Sequence, residues 1–402
     1  MGPQTVTKGS LRVLHVIATL DPRHGGPVAA VRGMCLALAR RGHHVALVAT
    51  DDYPAGADGL APNVDVRLFP VHWPRRYFAS LPMIPALRHM VPRFDVVHIH
   101  SLYLFHSLVA ARACSAAGVP YIMRPHGTLD PYLRRKSRFK KDLYDRLLQR
   151  RELDRAAAVH YTSEDERDLA TPLGIRARPM VVPLGIDLNE FDHMPPAGAF
   201  RRAHPELRDK RLVLFLGRIT PKKGLDLLAA AFGEVQRVDP NAHLVIAGPD
   251  DEGYGGHVRR FLADAGVTSA TTILPMTTGT AKLELLRDAD VWVLPSYTEN
   301  FGVAVVEAMA ASLPVVISNR VNIWSRVDAA GAGLVTGCDA HQVAASVCRV
   351  LGDAHLASRL RSEGHALAYE AFGWDGVAVQ LERAYYDVLD RPASVQRAGI
   401  AV

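Results

Sequence analysis

The chain has 402 residues, of which 49% are hydrophobic and 22% are charged, and this length accommodates two or three domains of ordinary size. The balance excludes an intrinsically disordered chain. No apolar run approaches the roughly 20 residues of a membrane-spanning helix, and the first residues show no signal-peptide cleavage pattern, so we expect a cytoplasmic protein. The four cysteines show no C-x-x-C spacing, which argues against a disulfide framework or a zinc knuckle.

The net charge of +6 is concentrated in one segment, Tyr132–Arg155, which carries ten basic and four acidic residues. One interpretation is a helix that lies on anionic lipid headgroups at the inner face of the cell membrane and brings a lipid-diphosphate acceptor to the protein. The other is a solvated helix face whose basic residues pair with neighbouring acids. We favour the membrane surface. We expect no nucleic-acid partner, because stacking aromatic residues are not interleaved with the basic ones.

Strand-length apolar runs alternate with helical periods from the start of the chain. Leu11–Thr19, Pro27–Arg41 and His44–Thr50 predict a βαβ unit. The apolar runs are continuous and rich in valine, isoleucine and leucine, as in parallel strands that are covered on both faces. Residues 1–191 are therefore predicted to form a doubly wound α/β domain. Its further predicted strands are Asp95–His100, Val119–Met123, Ala156–Thr162 and Pro179–Pro183.

Two prolines and a glycine in Asp192–Ala199 predict a linker, after which the alternation resumes. Residues 200–372 predict a second α/β domain. Residues 373–402 contain a predicted helix, Trp374–Val388, that we expect to pack back on the first domain. Two such sheets predict ligand binding in a cleft between them, outside the carboxyl ends of the strands. The strands predicted in the second domain are Arg211–Leu216, His243–Ala247, Thr271–Leu274, Val291–Pro295 and Pro314–Ser318.

Two cations follow the first predicted strand of the second domain. In the segment GRITPKKG, Gly217 ends the strand, and Arg218 and Lys223 come after it. Two fixed cations suit a diphosphate, because arginine offers a planar fork of donors and lysine a point charge. The alternative is a solvated basic turn, since charged turns are common on protein surfaces.

A second polar group follows the predicted strand that ends at Pro295. Glu299 lies in the turn, and Gly302 opens a helix that carries Glu307. Free amide groups at a helix start, together with the positive end of the helix dipole, form an anion site. Glu307 can accept hydrogen bonds from ribose hydroxyls. The alternative is that Glu299 caps the helix and that Glu307 lies on a solvated face.

Several motifs together resemble those of an enzyme family. They are Glu299-x7-Glu307, GRITPKKG, and the segments DPRHGGPVAAV, DVVHIHS, RPHGT and VPLGID. Over Leu11–Val388 the pattern resembles the retaining glycosyltransferases of family 4, among them bacterial exopolysaccharide and lipopolysaccharide glycosyltransferases. The resemblance implies the GT-B architecture, an α/β fold of two facing Rossmann-like domains with a deep interdomain cleft. It also implies that the second domain holds a nucleotide-sugar donor and the first an acceptor.

The resemblance implies roles for individual residues. Arg218 and Lys223 would bind the donor diphosphate, Glu307 the ribose, and Glu299 the hydroxyls of the donor sugar. His126 would lie beside the reacting sugar, so the implied catalytic set is His126, Arg218, Lys223 and Glu299. A hydrogen-bonded histidine at a strand end is the alternative for His126. The other implied donor-binding residues are Gly25, Gly26, Gly217, Asn300, Phe301, Gly302 and Val303.

The chain departs from the family pattern at two places. Ser312 stands where glycine is common, at a helix C-terminus that favours positive φ, and a residue other than glycine costs about 1 kcal/mol there. Arg326 and Val327 stand where the family often has a glutamate and an isoleucine. We therefore expect the donor pocket, or its preferred sugar, to differ from the common one.

No metal ion and no other cofactor is expected besides the donor substrate. His98 and His100 share one face of a strand, but a predicted loop separates them from His106 and a fourth ligand is not evident. Asp288 and Asp290 form a D-x-D sequence at the junction of a helix and a strand, which is typical of a helix-end cap and turn.

These features predict a retaining, metal-independent hexosyltransferase of polysaccharide biosynthesis. The preferred donor is GDP-mannose, with a UDP-sugar as the alternative, and the acceptor would be a glycan or a lipid-diphosphate-linked glycan. The leaving diphosphate would take the acceptor proton, because no second carboxylate is placed for the double displacement of retaining hydrolases. Two other classes stay open. A retaining disaccharide phosphorylase would depend on inorganic phosphate, and a non-catalytic sensor would bind nucleotide sugars without turnover.

Overall fold

A computed structural model describes residues 9–131 and 149–390, and these form two compact units. The first unit comprises the chain up to Gly185 together with the segment from Trp374 onward, and the second is Ile186–Gly373. The chain thus leaves the first unit ahead of residue 191, where the sequence predicts the boundary. The proline-rich segment 192–199, predicted as a linker, lies inside the second unit. Most of the basic segment, residues 132–148, lies outside the described residues.

The first unit is built on a seven-stranded parallel sheet. Its strands are β1 (Arg12–Val16), β2 (His44–Thr50), β3 (Val64–Phe69), β4 (Val96–His100), β5 (Tyr121–Arg124), β6 (Ala158–Tyr161) and β7 (Arg178–Val181). The order is β3-β2-β1-β4-β5-β6-β7. The strands are thus added first on one side of β1 and then on the other, as in doubly wound folds. The sequence does not predict β3, because this edge strand exposes Asp65 and Arg67 and lacks a continuous apolar run.

Helices cover both faces of this sheet. Successive residues of a strand point to opposite faces, so each strand contributes to two core clusters. Val13 belongs to a core cluster that includes residues of α1 (Gly26–Arg40), whereas Leu14 belongs to a cluster with residues of α2 (Met83–Met90) and α3 (Phe105–Ala117). Among the described residues, α4 (Arg150–Arg155) and α5 (Glu164–Ala170) follow in this unit.

The C-terminal helix, Trp374–Asp390, packs against α1 in the core of the first unit. The Trp374 indole lies so close to Gly33 and Gly185 that a Cβ on either glycine would overlap with it. Only a residue without a side chain leaves room for the Trp374 ring at these two positions, so both glycines allow the C-terminal helix to pack on the first unit. The residues that this helix buries in the core are Val377, Leu381, Tyr385 and Val388.

The second unit repeats the architecture with a six-stranded parallel sheet. Its strands are β8 (Arg211–Leu216), β9 (Ala242–Ala247), β10 (Thr271–Leu274), β11 (Val291–Leu294), β12 (Val315–Ser318) and β13 (Gly333–Thr336). The order is β10-β9-β8-β11-β12-β13. Both sheets are parallel and Rossmann-like, which confirms the predicted fold class of the two domains. The short edge strand β13 is not predicted from the sequence.

The helices of the second unit are α6 (Asn189–Asp192), α7 (Ala199–Ala203), α8 (Leu225–Val238), α9 (Gly255–Asp264), α10 (Gly279–Asp288), α11 (Val303–Ala310), α12 (Trp324–Ala329), α13 (Ala340–Gly352) and α14 (Ala354–Phe372). Across residues 9–131 and 149–390, none of the helices combines the length and the hydrophobicity needed to cross a bilayer. The parallel order brings the carboxyl ends of β8 and β11 side by side in the middle of the sheet, and the loops after these two strands form the candidate site.

Replacing Gly33 with alanine should destabilise the first unit, because the added methyl group would overlap with the Trp374 ring. We expect the free energy of unfolding to fall by about 1–3 kcal/mol, the usual cost of overpacking. Urea unfolding measures the change. Gly352→Ala is the control, since this helix residue is exposed and its Cβ would meet open space, and it should be neutral or slightly stabilising. Equal stabilities of the two variants would contradict the packing of Trp374 on α1.

Candidate functional site

The two predicted cations of the loop after β8 lie in different surroundings. Its first residue, Gly217, donates its N–H to the Ala247 carbonyl at the end of β9 (2.9 Å). The next residue, Arg218, is exposed, whereas only 13% of the Lys223 side chain is exposed. Of these two predicted cations, one is thus solvated and the other is nearly enclosed.

This loop lies against the turn after β11. Gly224 has a φ of 67°, and a Cβ at this position would overlap with the Pro295 carbonyl. Tyr297 donates its N–H to the Lys222 carbonyl (2.8 Å). Because only glycine combines this φ with so close an approach, Gly224 lets the two segments touch.

Helix α11 begins directly after Gly302, whose φ is 81° and which offers no side chain to cap the helix. The first amide groups of the helix, with that of Val303 among them, are therefore available to an anion. The Asn300 side-chain oxygen is buried beside this start and has no hydrogen-bond partner among the described residues. The Phe301 ring is buried and packs edge-on against Phe372, with 5.4 Å between ring centres, so its predicted contribution is confined to its backbone amide.

An ion pair joins the two predicted groups. Lys223 Nζ and Glu299 Oε2 are in direct contact, and only 15% of the Glu299 side chain is exposed. Burial would raise the pKa of Glu299, but the charges of Lys223, Lys222 and Arg218 outweigh burial and hold this pKa below its ordinary value. A Cβ at Gly302 would lie 3.6 Å from Glu299 Cγ. The structure therefore brings Lys223, Glu299 and the start of α11 together, and the Glu299 side chain pairs with lysine and does not cap the helix.

The carboxylate predicted to bind ribose, Glu307, is also paired. Lys282 Nζ lies 3.0 Å from Glu307 Oε1 and 3.1 Å from Glu190 Oε2. Its distance to the centre of the Phe191 ring is 5.6 Å. Burial would lower the pKa of Lys282, but the two carboxylates outweigh burial and raise it. Glu307 is therefore an ion-paired carboxylate, and a ribose bound there would share it with the Lys282 ammonium group.

In the first unit, His126 follows β5 in a turn with left-handed backbone. His126 and Gly127 have φ values of 51° and 78°. The Glu166 carboxylate holds this turn by accepting the Gly127 N–H (3.2 Å), and His126 Nε2 lies 3.2 Å from His100 Nδ1. The ring is thus hydrogen-bonded, as the alternative interpretation of His126 describes, and its contact with a sugar stays a prediction.

Gly25 and Gly26 lie at the start of α1. A Cβ on either residue would meet no atom within 4 Å. Packing inside the protein therefore does not require small residues there, and the space beside them is open.

The D-x-D sequence takes part in structural hydrogen bonds. Asp288 accepts the N–H groups of Gly198 (2.6 Å) and Arg201 (3.0 Å), so it caps α7 and not its own helix. Asp290 accepts the Leu212 N–H (2.7 Å) and pairs with Arg201 (3.0 Å). Both carboxylates serve the packing of the second unit.

Three buried histidines, His15, His98 and His100, each place a ring nitrogen within 4.8 Å of the others. His98 and His100 are the pair that the sequence indicates. His15 joins them because it lies opposite His98 in the register of β1 and β4. His106 belongs to α3, and its Nε2 donates to the His100 carbonyl (2.6 Å).

Sequence reasoning misses several residues that support these sites. Lys222 stands beside Lys223 in the PKKG segment, which is a signal that the sequence contains. Glu166 and Lys282 show no local signal, because each reaches its partner from an element distant in the chain: Glu166 is 39 residues from Gly127, and Lys282 is 25 residues from Glu307.

Solved structures share this fold over nearly the whole chain. HepE of Anabaena, solved with UDP-glucose, is 17% identical with a TM-score of 0.73, and the match covers 94% of this chain and 100% of HepE. Sucrose-phosphate synthase of Thermosynechococcus elongatus is 20% identical with a TM-score of 0.74 and coverages of 94% and 99%. At these identities the likeness shows the fold, which is the GT-B fold of two Rossmann-like domains.

Sequence comparison defines the family. Residues 25–185 match the glycosyl transferase 4-like domain, and residues 198–366 match the glycosyl transferases group 1. The D-inositol 3-phosphate glycosyltransferase of Thermobispora bispora is 30% identical over 315 residues, which are 74% of this chain and 72% of that protein. The chain belongs to the group 1 glycosyltransferase family, with a glycosyl transferase 4-like first domain, and is a glycosyltransferase of the GT-B type.

Replacing Glu299 with glutamine should destabilise the second unit near neutral pH, because Lys223 would keep its charge without an anionic partner. The expected loss in the free energy of unfolding is about 1–3 kcal/mol. Since folding lowers the pKa of Glu299, its contribution is complete above the unfolded value of about 4.3. It is lost as the pH falls through the lower folded value. Urea unfolding at neutral pH and at about pH 3 should therefore show a gap between the proteins that closes in acid.

Glu164→Gln is the matched control for this experiment. Its carboxylate is 53% exposed, so the substitution should change stability little at either pH. A gap between wild type and Glu299→Gln that stays as large in acid as at neutral pH would contradict an ionised Lys223–Glu299 pair.

Proposed function

We propose that the protein transfers a hexose from a nucleoside-diphosphate sugar to an acceptor hydroxyl, with retention at the anomeric carbon. The observation that carries this proposal is the contact of Lys223 with Glu299 beside the uncapped start of α11. Fixed cations and free helix amides are the two features that bind a diphosphate. Here they meet at the carboxyl ends of two neighbouring parallel strands, where open α/β sheets bind their ligands.

The chemistry follows from the charge of the leaving group. As the bond from the sugar C1 to the diphosphate oxygen breaks, negative charge grows on the diphosphate. Arg218, Lys223 and the positive end of the α11 dipole would stabilise that charge. The departing oxygen would accept the proton of the acceptor hydroxyl while the acceptor oxygen bonds to C1 on the same face. Because two side-chain cations supply the compensating charge, the proposed step uses no metal ion.

Glu299 would change partners when the donor binds. A diphosphate carries more negative charge than one carboxylate, so it would replace Glu299 as the partner of Lys223. The released carboxylate would then accept hydrogen bonds from the hydroxyls of the donor sugar. Glu307 would bind the ribose while Lys282 holds its carboxylate in place.

The donor we propose is GDP-mannose, with a UDP-sugar as the alternative. The UDP-glucose in the HepE structure favours including uridine nucleotides in any test. A thermal-shift screen of GDP, UDP, ADP and their sugars identifies the base and the sugar. A ligand at about 100 times its Kd should add about 2.7 kcal/mol to the stability of the protein. Stabilisation by none of these nucleotides would contradict the proposal.

The acceptor we propose is a glycan or a lipid-diphosphate-linked glycan of polysaccharide biosynthesis. Relatives named D-inositol 3-phosphate glycosyltransferase make inositol 3-phosphate the compound to test beside it. Attachment to the inner face of the cell membrane would use the basic segment 132–155. Within it, Arg150 pairs with Asp154 (2.8 Å) and donates to the Leu173 carbonyl (2.6 Å), so the membrane proposal depends on the other basic residues. Vesicle binding that is independent of anionic lipid would contradict it.

Arg218→Ala and Lys223→Ala should each lower kcat/KM by about 100- to 1000-fold, the usual effect of removing one group that stabilises charge in the transition state. Initial rates with the donor found in the screen, measured in the presence of EDTA, test the cations and the metal-free step together. Arg259→Ala removes an exposed arginine of α9 and should leave the rate unchanged.

Near-wild-type turnover in both variants would contradict the assignment of the diphosphate site. Activity that EDTA abolishes and manganese restores would contradict the metal-free step. Cleavage of a disaccharide that depends on inorganic phosphate would favour the phosphorylase, and nucleotide-sugar binding without product would favour the sensor.

A further inference from the structure

A group of histidines lies buried behind His126 in the first unit. The side chains of His15, His98, His100 and His160 are fully or almost fully enclosed. They come from the neighbouring strands β1 and β4 and from β6, which β5 separates from β4. Burial lowers the pKa of each ring, and burial together with the charge of Arg124 lowers the pKa of His15 to about 3. These imidazoles are therefore neutral, and each neutral ring has one nitrogen that donates and one that accepts.

One line of hydrogen bonds in this group has a fixed direction. His160 Nε2 lies 2.8 Å from the Val182 carbonyl, which can only accept, so His160 carries its proton on Nε2. Its Nδ1 must then accept from His98 Nε2 (3.2 Å). His98 Nδ1 in turn accepts from the Tyr385 hydroxyl (2.8 Å). Both nitrogens of His98 thus take part in hydrogen bonds. A metal ion bound by the three clustered histidines would have to displace one of these hydrogen bonds.

A second line of hydrogen bonds runs to His126. His15 Nδ1 lies 3.0 Å from His100 Nε2, and His100 Nδ1 lies 3.2 Å from His126 Nε2. The far end of the line is His15 Nε2, which is buried and has no hydrogen-bond partner among the described residues. The protons along this line have two possible arrangements, and each gives the two ends opposite roles.

The unpartnered nitrogen of His15 decides between the arrangements. If His126 donated inward, His15 would carry its proton on Nε2, and a buried N–H would have no acceptor. If His15 donates outward from Nδ1, its Nε2 is a bare lone pair. A buried N–H without a partner is rarer than an acceptor without one, and it costs the full desolvation of the donor. The outward arrangement therefore prevails, and it leaves the proton of His126 on Nδ1.

We infer that His100 and His15 are positioning residues that hold the His126 ring in one orientation with its proton on Nδ1, so that His126 donates a hydrogen bond to the reacting sugars. Glu166 holds the turn that carries His126, because its carboxylate accepts the Gly127 N–H. This inference rests on the proposed function and on the predicted place of His126 beside the reacting sugar. It adds a direction to that contact, because a neutral His126 protonated on Nδ1 can donate there but cannot accept the proton of the acceptor hydroxyl.

Asparagine and leucine have side chains of nearly the same shape. Replacing His100 with each of them in turn therefore separates the effect of hydrogen bonding from that of packing. Asparagine and leucine branch at the same atom, but only the asparagine amide can donate to His126 Nε2 near the position of the lost His100 Nδ1. His100→Leu should lower kcat by about 100-fold, the effect of a misplaced reacting group. His100→Asn should recover most of that loss. The Kd of the nucleotide should be unchanged in both variants, since its proposed ligands belong to the second unit.

The proton position is measured without any substrate. Nitrogen-15 NMR of histidine-labelled wild-type protein should show a His126 signal with the proton on Nδ1, assigned as the signal that disappears in His126→Gln. His100→Leu should change that signal, and His100→Asn should preserve it. This measurement on the wild type needs no variant of His100 to fold.

Two results would overturn the inference. One is a wild-type His126 that carries its proton on Nε2, and the other is an equal kcat for His100→Leu and His100→Asn in a protein that transfers sugar. If no sugar donor gives turnover in the wild type, the proposed function fails, and the NMR signal of His126 still decides the proton arrangement.

Discussion

The ion pair between Lys223 and Glu299 is the contact on which the site of the second unit depends. It joins two segments that are 76 residues apart in the chain. Neither side chain is well solvated, so each charge needs the other. The loop and the turn reach each other because Gly224 allows close contact with Pro295. A cation is thereby held at a defined place beside the start of α11, which reduces the ordering that a bound diphosphate would otherwise require.

The fold follows from the sequence wherever strands are buried on both faces. An inner strand such as β9 is wholly buried over Ala242–Ala247, and its last four residues, Leu244–Ala247, are visible as an unbroken apolar run. The edge strands β3 and β13 escape prediction for the opposite reason, since β3 exposes Asp65 and β13 is short and begins with Gly333. Ser312 replaces the glycine that is common in the family but keeps the backbone conformation that favours glycine. Its φ is 55°, the left-handed conformation that makes glycine common at a helix C-terminus.

In the candidate site, the sequence predicts only the residues that directly follow a predicted strand. Arg218, Lys223 and Glu299 can be picked out because each follows a predicted strand, and parallel strands bring their carboxyl ends to one edge. Their partners depend on tertiary contacts instead. Lys282 is 92 residues from Glu190, and periodicity on α10 says nothing of that pairing. His98 and His100 appear as a pair in the sequence, but the line that joins His100 to His15 requires the register of β1 against β4, which local pattern does not specify.

The two units use charge in opposite ways, and each suits one part of the proposed reaction. The second unit gathers ionised groups around Lys223 and α11, where fixed positive charge would stabilise the diphosphate that departs in the proposed reaction. The first unit keeps His126 neutral through burial and the charge of Arg124, and a neutral imidazole can orient a sugar without competing for the diphosphate. If the inferred proton lies on Nδ1, His126 has no lone pair to offer the acceptor hydroxyl from that nitrogen, while His100 occupies the other. In the proposed reaction the hydroxyl proton would then be left to the departing diphosphate oxygen. Because base and leaving group would be the same group, attack and departure would occur on one face of the sugar, as the proposed retention of configuration requires.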